Sequence, residues 1–331
     1  MADQAERSRP TLRDVADRAG VSPITVSRAI RGSAPVHEET KRRIDQAVAE
    51  LGYVPNEAAR QLVRGRANDR VGIMLHNTAH YLWSRVSFAM QADLVRLGYA
   101  SLLVGTEESQ VKEAQQLAHL VGRGVCGIIA SPCGLDSPLP AQVRGHALPL
   151  VLLNSGPDAL HDTVAVDEAG GTYQLTRHLL DQGHRRIALV YRAPTDYTAV
   201  ERHAGFAAAL REAGLPVDRQ LIWEGPSGNA EAAIAALLEL AEPPTAIVAA
   251  ASWAAFGVLY ALARRQIMVP DEIEVAVFGE MPTFGSLLTH LSYEPVEALA
   301  ARAVEMLVDR ISGYEGPPRR YVQSVRVIER E

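Results

Sequence analysis

Two hydrophobic rhythms divide the chain. Over residues 11–52 apolar positions recur every three or four residues, in three short blocks. Leu12, Val15, Ala16 and Ala19 form the first face, Val26, Ala29 and Ile30 the second, and Ile44, Val48 and Leu51 the third. That spacing predicts three amphipathic helices. Thr11 with Asp14 makes a capping-box start, and Gly20-Val21 breaks the first helix. Ser22 caps the second, with Pro23 at its first position, where the missing N–H costs nothing. Gly32-Ser33 ends it. The third helix starts near Glu38, and Gly52 sits where a C-terminal cap belongs.

From Val71 the rhythm changes. Apolar runs of strand length fall at 71–75, 100–105, 125–131, 148–154, 186–192, 245–251 and 273–279, with a last one at 321–329. Amphipathic stretches separate them, at 83–97, 110–122, 168–182, 199–213, 229–241 and 253–265. Strands alternating with helices build parallel sheets covered on both faces. The strands are too many for one sheet, so the expected fold class is an all-α helix-turn-helix head plus an α/β body of two doubly wound parallel-sheet lobes. Ligands in such bodies bind at the carboxyl ends of strands, here in the cleft between lobes. Residues 53–70 form a linker whose segment EAARQLV is too short to hold a helix unaided.

Composition alters this picture in one respect. The chain has 331 residues and a net charge of -6, which by itself speaks against nucleic acid. Residues 1–66, however, hold 12 Lys/Arg against 9 Asp/Glu, a net +3, and the remainder carries -9. A basic head on an acidic body is expected where only the head meets phosphates. No apolar run reaches membrane-spanning length, and the polar start MADQAERSRP lacks a signal-peptide core, so a cytoplasmic protein is expected. Cys126 and Cys133 are not spaced as CxxC and have no histidine cluster, so they read as structural thiols. No cofactor or metal is expected. Gly122, Gly124 and Gly127 spell GxGxxG, but a helix precedes them and a strand follows, the reverse of a dinucleotide site. No Walker loop, GxSxG or HExxH is present, and an enzyme is the weaker alternative. A transport-type binding protein would need a signal peptide and no head.

The run TLRDVADRAGVSPITVSRAIRG (11–32) has the spacing of a helix-turn-helix. Its second helix would expose Pro23, Ile24, Ser27 and Arg28. Side chains at the start of a recognition helix reach base edges in the major groove. Arg28 can donate two bonds to a guanine, and Ser22, Thr25 and Ser27 can hold phosphates.

This segment resembles the head of the LacI/GalR family, whose pattern is roughly T-x-x-D-V-A-x-x-A-G-V-S-x-x-T-V-S-R. The match runs through Thr11, Asp14, Val15, Ala16, Ala19, Gly20, Val21, Ser22, Thr25, Val26, Ser27 and Arg28. Val36, Thr40, Arg43 and Ile44 follow, then Leu51-Gly52-Tyr53, Pro55-Asn56, Ala59-Arg60 and Leu62, with His37 in place of the usual Ser. The resemblance implies that Pro23 and Ile24 read bases, touching a thymine methyl because both are apolar. Thr11, Arg28, Arg31 and Asn56 add DNA contacts, and Leu62 wedges into the minor groove from a hinge helix anchored by Arg60 and Arg64.

The resemblance extends through GHRRIA (183–188), RHAGF (202–206), VPDEI (269–273) and Tyr293-Glu294-Pro295. It implies a periplasmic-binding-protein-like body whose chain crosses between lobes near 166, 293 and 322. The expected parts are a head (1–54), a hinge and linker (55–69), an N-terminal lobe (70–165 and 294–321) and a C-terminal lobe (166–293 and 322–331). Arg202 would face the cleft and grip a small-molecule effector, or else form an inter-lobe salt bridge. Sugar-binding relatives carry an Asn-Asp pair where this chain has Ala251-Ser252, and an acidic residue where it has Gly279, with the next residue, Glu280, as the candidate effector contact there. The effector is therefore a sugar, a sugar acid or another small metabolite, or effector control is atypical or lost. Trp253 could stack on a ring or be a core or dimer-face aromatic. Asn154, His76, Tyr81 and Trp83 are further candidates near the cleft. Two heads on a two-fold axis read a palindromic operator in double-stranded DNA, so a homodimer is expected, and with no heptad tail a coiled-coil tetramer is not. The implied function is a repressor under effector control.

Overall fold

The structure, a computed structural model, describes residues 10–31, 35–53, 69–76, 78, 81–191, 197–225, 230–280, 288–292 and 296–329. The chain divides into two compact units, Met1–Ala67 and Asn68–Glu331.

Among its described residues the first unit holds three helices, α1 (Leu12–Ala19), α2 (Pro23–Arg31) and α3 (Glu38–Leu51). Thr11 and Asp14 close a complete capping box, and Gly20 ends α1 in the left-handed conformation. The Arg43 guanidinium is bonded to the Ala19 carbonyl at that turn. Val15, Ala16, Val26, Ile44 and Tyr53 pack into one small core. His37 stands at the start of α3 without a side-chain cap.

The second unit contains two six-stranded sheets. The first is built from β1 (Arg70–Leu75), β2 (Ala100–Gly105), β3 (Gly127–Ala130), β4 (Leu150–Leu153), β5 (Asp162–Val166) and β11 (Arg320–Gln323), in the order β11-β5-β4-β3-β1-β2. Every pairing in it is parallel. Helices α4 (Tyr81–Arg96) and α11 (Val296–Ile311) pack on one face, and α5 (Gln110–Gly122) and α6 (Leu139–Gly145) on the other. The second sheet runs β12-β10-β9-β8-β6-β7, from β6 (Ile187–Tyr191), β7 (Ile222–Glu224), β8 (Ala246–Ala249), β9 (Glu274–Val277), β10 (Thr289–Ser292) and β12 (Arg326–Ile328). It is covered by α7 (Glu168–Asp181) and α8 (Tyr197–Glu212) on one side and by α9 (Ala230–Leu238) and α10 (Ser252–Arg264) on the other.

Two sequence expectations need correction. The single apolar run at 321–329 is two strands. The stretch Arg320–Gln323 pairs with β5 in the first sheet, and Arg326–Ile328 pairs antiparallel with β10 in the second. Ser324-Val325 carries the chain across, in a connection too short to show as a break in hydrophobicity. Strands β5, β7 and β10 were not among the expected apolar runs. Strand β5 begins with a buried aspartate and threonine, β7 has three residues, and β10 carries Thr289, His290 and Ser292. In each, polar residues or brevity erase the apolar signal.

Glycine 205 shows how tightly the layers fit. Helices α7 and α8 approach so closely there that a Cβ would lie 2.1 Å from the Ala169 carbonyl oxygen. The obstacle is backbone, which cannot swing aside as a side chain does. Replacing Gly205 by Ala is expected to destabilise the body by about 3 kcal/mol, at the upper end of overpacking costs, in chemical denaturation. A loss of less than about 0.5 kcal/mol, the usual surface effect, would show that the helices separate freely.

Candidate nucleic-acid interface and ligand cleft

Helix α2 turns one face inward through the fully buried Val26 and the other outward. Pro23 and Arg28 are exposed, and Ile24 is 64 % exposed. An isoleucine so open to water on a nine-residue helix contributes nothing to the head's core. Ser22 Oγ accepts from the Thr25 N–H at 3.2 Å and lies 2.8 Å from Thr25 Oγ1, which fixes the start of α2. The first turn of α2 has no acidic residue, so its N–H groups present uncompensated positive potential. Ser27 and Arg28 follow on the half-exposed and exposed sides. Thr11 is drawn into its cap, its hydroxyl 2.7 Å from Asp14 Oδ2, and that bond holds the Asp14 carboxyl below its ordinary pKa. Arg31 ends the helix, with its side chain outside the described residues, and Asn56, Arg60 and Leu62 lie outside them too.

The cleft lies where both sheets present the carboxyl ends of their strands, at the points where strand order reverses. From the first lobe come His76 after β1, Trp83 on α4, Glu108 after β2 and Asn154 after β4. From the second come Tyr191, Thr198, Arg202, Ala250, Ala251 and Trp253. Five of the seven expected effector contacts, His76, Trp83, Asn154, Arg202 and Trp253, therefore line one space. His76 and Trp83 meet edge to face at 6.2 Å, and the His76 Nδ1 lies 2.5 Å from Ser131 Oγ. Trp253 also packs on the core of the second lobe.

Arg202 is already engaged. Its Nε donates to Glu168 Oε2 at 2.7 Å and its Nη1 to the Ala250 carbonyl at 2.6 Å, while its guanidinium lies 4.1 Å from the Phe278 ring centre. Glu168 is 2 % exposed, and burial pushes its carboxyl above the ordinary range against the pull of Arg202. Its other oxygen accepts from Asn154 Nδ2 at 2.8 Å. Asn154 stands at a φ of 44°, in the left-handed region that asparagine tolerates best among residues with a side chain. Its Oδ1 accepts from the Val166 N–H at 3.1 Å. The chain Asn154–Glu168–Arg202 thus bridges the lobes at the first crossover. Sequence reasoning singled out its two ends and missed Glu168, because an acidic residue in a helix's first turn looks like ordinary capping chemistry.

Glu280 is placed elsewhere. It is not among the cleft-lining residues, and its carboxylate pairs with Arg85 of helix α4. Tyr81 opens α4, its side chain outside the described residues.

Beside the cleft, and sharing His76, Glu108, Asn154 and Thr198 with it, is a cavity of about 600 Å³. Glu108, Asp136, Asp158, Ser131, Ser137 and Tyr197 help to line it, and no lysine or arginine does among the described residues. Cys133 also faces it. Burial pushes that thiol up to about 11, so it is uncharged at neutral pH. Among the described residues no cluster of three metal-ligating side chains occurs, and no helix is long and apolar enough to cross a membrane.

Comparison with known proteins gives two family matches. Residues 11–56 match the family described as bacterial regulatory proteins, lacI family, and residues 176–331 match a periplasmic binding protein-like domain. The chain is 33 % identical over 342 residues to the transcriptional regulator CelR of Thermobifida fusca, covering 98 % of each chain. It is 29 % identical over 327 residues to the transcriptional repressor PurR of Vibrio atlanticus, covering 97 % of each. Among solved structures, a CelR–cellobiose complex superposes with a TM-score of 0.74 at 28 % identity, covering 98 % of this chain and 99 % of that one. A lac repressor dimer bound to operator and the anti-inducer ONPF superposes with a TM-score of 0.83 at 22 % identity over 98 % of both chains, a likeness of fold.

Proposed function

The chain belongs to the lacI family of bacterial regulatory proteins and is a DNA-binding transcriptional regulator, and from that premise we propose how its two parts divide the task. Helix α2 enters the major groove. Ile24 and Pro23 meet thymine methyls and Arg28 reads a guanine, while the start of α2 holds a phosphate. Asn56, Arg60 and Leu62 act at the centre of the operator. The observation that carries this is the exposed Ile24–Arg28 edge of α2, opposite the buried Val26.

Two heads are needed for a palindromic site, so the regulator works as a homodimer, as a repressor in the cytoplasm. Phe88 and Val95 on α4 and Val111 on α5, all more than 60 % exposed, offer the first lobe an apolar face for its second copy.

The body binds a small effector in the cleft. Among the described lining residues the one arginine is neutralised by Glu168, while three carboxylates line the adjoining cavity. An anionic effector such as a sugar acid meets repulsion there. An uncharged polar molecule suits that lining, with the half-buried Trp253 at its edge to meet a ring, and a sugar such as the cellobiose held by CelR has that chemistry.

The test is selection of binding sites from random DNA by the full chain, followed by the same selection with Arg28→Ala. Wild type is expected to enrich a two-fold symmetric site. The variant should lose preference at one guanine per half-site, by about 1–3 kcal/mol. Loss of affinity that is uniform over sequences, with a shallower salt dependence, would instead make Arg28 a phosphate contact and overturn its assigned role.

A further inference from the structure

We propose that Arg85 and Glu280 form a latch between the lobes that couples their relative angle to operator affinity. The proposal rests on the reading of the chain as an operator-binding regulator and assigns Glu280 a role other than gripping the effector.

Arg85 belongs to helix α4 of the first lobe, and Glu280 follows strand β9 of the second, 195 positions along the chain. The two side chains are bonded across the lobe boundary. Their surroundings are unequal. The Glu280 side chain is 14 % exposed, whereas Arg85 has a second acidic neighbour, Glu297 of helix α11 in its own lobe, at 3.7 Å and 70 % exposed. If the lobes part, Arg85 keeps a carboxylate beside it and Glu280 is left largely buried with its cation withdrawn. A buried charge without a partner is costly, and water must enter to relieve it. The lobe angle therefore carries an electrostatic term set by one pair.

Both ends of the latch are tied to the cleft. Trp83, which lines the cleft, lies two positions from Arg85 on the same helix. On the other side, Ser252 Oγ donates to the main-chain oxygen of Glu280 at 3.4 Å, and Ser252 is followed by cleft-lining Trp253 in the first turn of α10. A molecule entering the cleft that changes the separation of the walls carrying Trp83 and Trp253 moves Arg85 against Glu280. The contact Asn154–Glu168 also bridges the lobes, but it flanks the crossover at Asp167, where the chain itself holds the lobes together. Arg85 and Glu280 lie near a different crossover, from Ser292 of β10 to Val296 of α11, but their link is an ion pair, which can part as the lobes turn.

The test uses the full chain and an operator that wild type selects from random DNA. Affinity is measured without added ligand at low and at high salt for Arg85→Gln, Glu280→Gln, the double variant, and the exchanged pair Arg85→Glu/Glu280→Arg. Small-angle scattering reports the lobe separation, and thermal melting checks that each variant is folded. Each single variant is expected to shift operator affinity about fivefold or more, in the same direction, with a matching change in radius of gyration. The double variant should shift it no further than either single one, and the exchanged pair should return it towards wild type. The difference from wild type should narrow as salt screens the pair. Folded single variants with wild-type affinity and radius overturn the latch while the regulator reading stands, since wild type still holds its operator. Independent, additive effects of the two substitutions overturn it too. A wild type that selects no operator overturns the regulator reading, and the coupling with it.

Discussion

Asp162→Asn is expected to destabilise the body by about 3–5 kcal/mol, the usual cost of removing one member of a buried ion pair. Asp162 opens strand β5 and is fully buried. Its carboxylate accepts from Arg310 Nη2 at 2.8 Å, from Arg319 Nη2 at 2.9 Å and from the Arg319 main-chain N–H at 2.7 Å. Arg319 also donates to Asp309 at 2.6 Å, and the Tyr314 ring centre lies 4.6 Å from one guanidinium and 4.5 Å from the other. The cluster fastens β5, helix α11 and the entry to β11 to one another. Burial alone would raise the Asp162 carboxyl, but the two guanidiniums outweigh it and hold it below the ordinary 3.8. A carboxyl depressed in the folded state adds stability that is present above its unfolded pKa and lost as pH falls through the folded one. In chemical denaturation the gap between wild type and Asp162→Asn should therefore be full at pH 7 and shrink below about pH 4. A variant within 1 kcal/mol of wild type at pH 7 would mean that the arginines are satisfied without it.

Arg202→Met should cost a similar amount, about 3–5 kcal/mol, because it leaves the Glu168 carboxylate buried without its cation. Adding Glu168→Gln should restore most of that stability, since an amide in the same place needs hydrogen bonds only. The pair of variants separates two roles. If Arg202 also touches the effector, the double variant folds well but gains no thermal stability from a ligand that raises the melting temperature of wild type. If ligand stabilisation returns together with folding, Arg202 acts on the cleft only by neutralising Glu168. A single variant as stable as wild type would contradict the structural role.

The sequence made the head legible because local chemistry decides it. Thr11 with Asp14, Gly20, Ser22 with Pro23, and Gly52 each mark a helix end within four residues, and the buried positions Val15, Ala16, Val26 and Ile44 follow the helical period. The body's class was legible from alternating apolar runs. Strand β5 was hidden because Asp162 becomes compatible with burial only when Arg310 and Arg319 arrive from about 150 positions away. The cleft was half legible. The family pattern pointed to Arg202 and to the position of Trp253, and strand ends or early helix positions pointed to Asn154, His76 and Trp83. Nothing local marked Glu168 as the partner of Arg202, 34 positions on, or Arg85 as the partner of Glu280, 195 positions away. Glu280 was expected in the cleft because it sits beside a family acidic position. Its pairing with Arg85 depends on two lobes meeting, which no spacing along the chain encodes.

The most direct measurement is the equilibrium affinity of the full chain for its selected operator, with and without a saturating ligand. That ligand is chosen from uncharged sugars, nucleosides and related small molecules by its ability to raise the melting temperature. At about 100 times its dissociation constant a true effector adds roughly 2.7 kcal/mol to the stability of the state it binds. A ligand with different affinities for the two lobe arrangements should then move operator affinity about fivefold or more, in one direction. Equal operator affinity with and without a ligand that demonstrably occupies the body would contradict control of the head through the cleft.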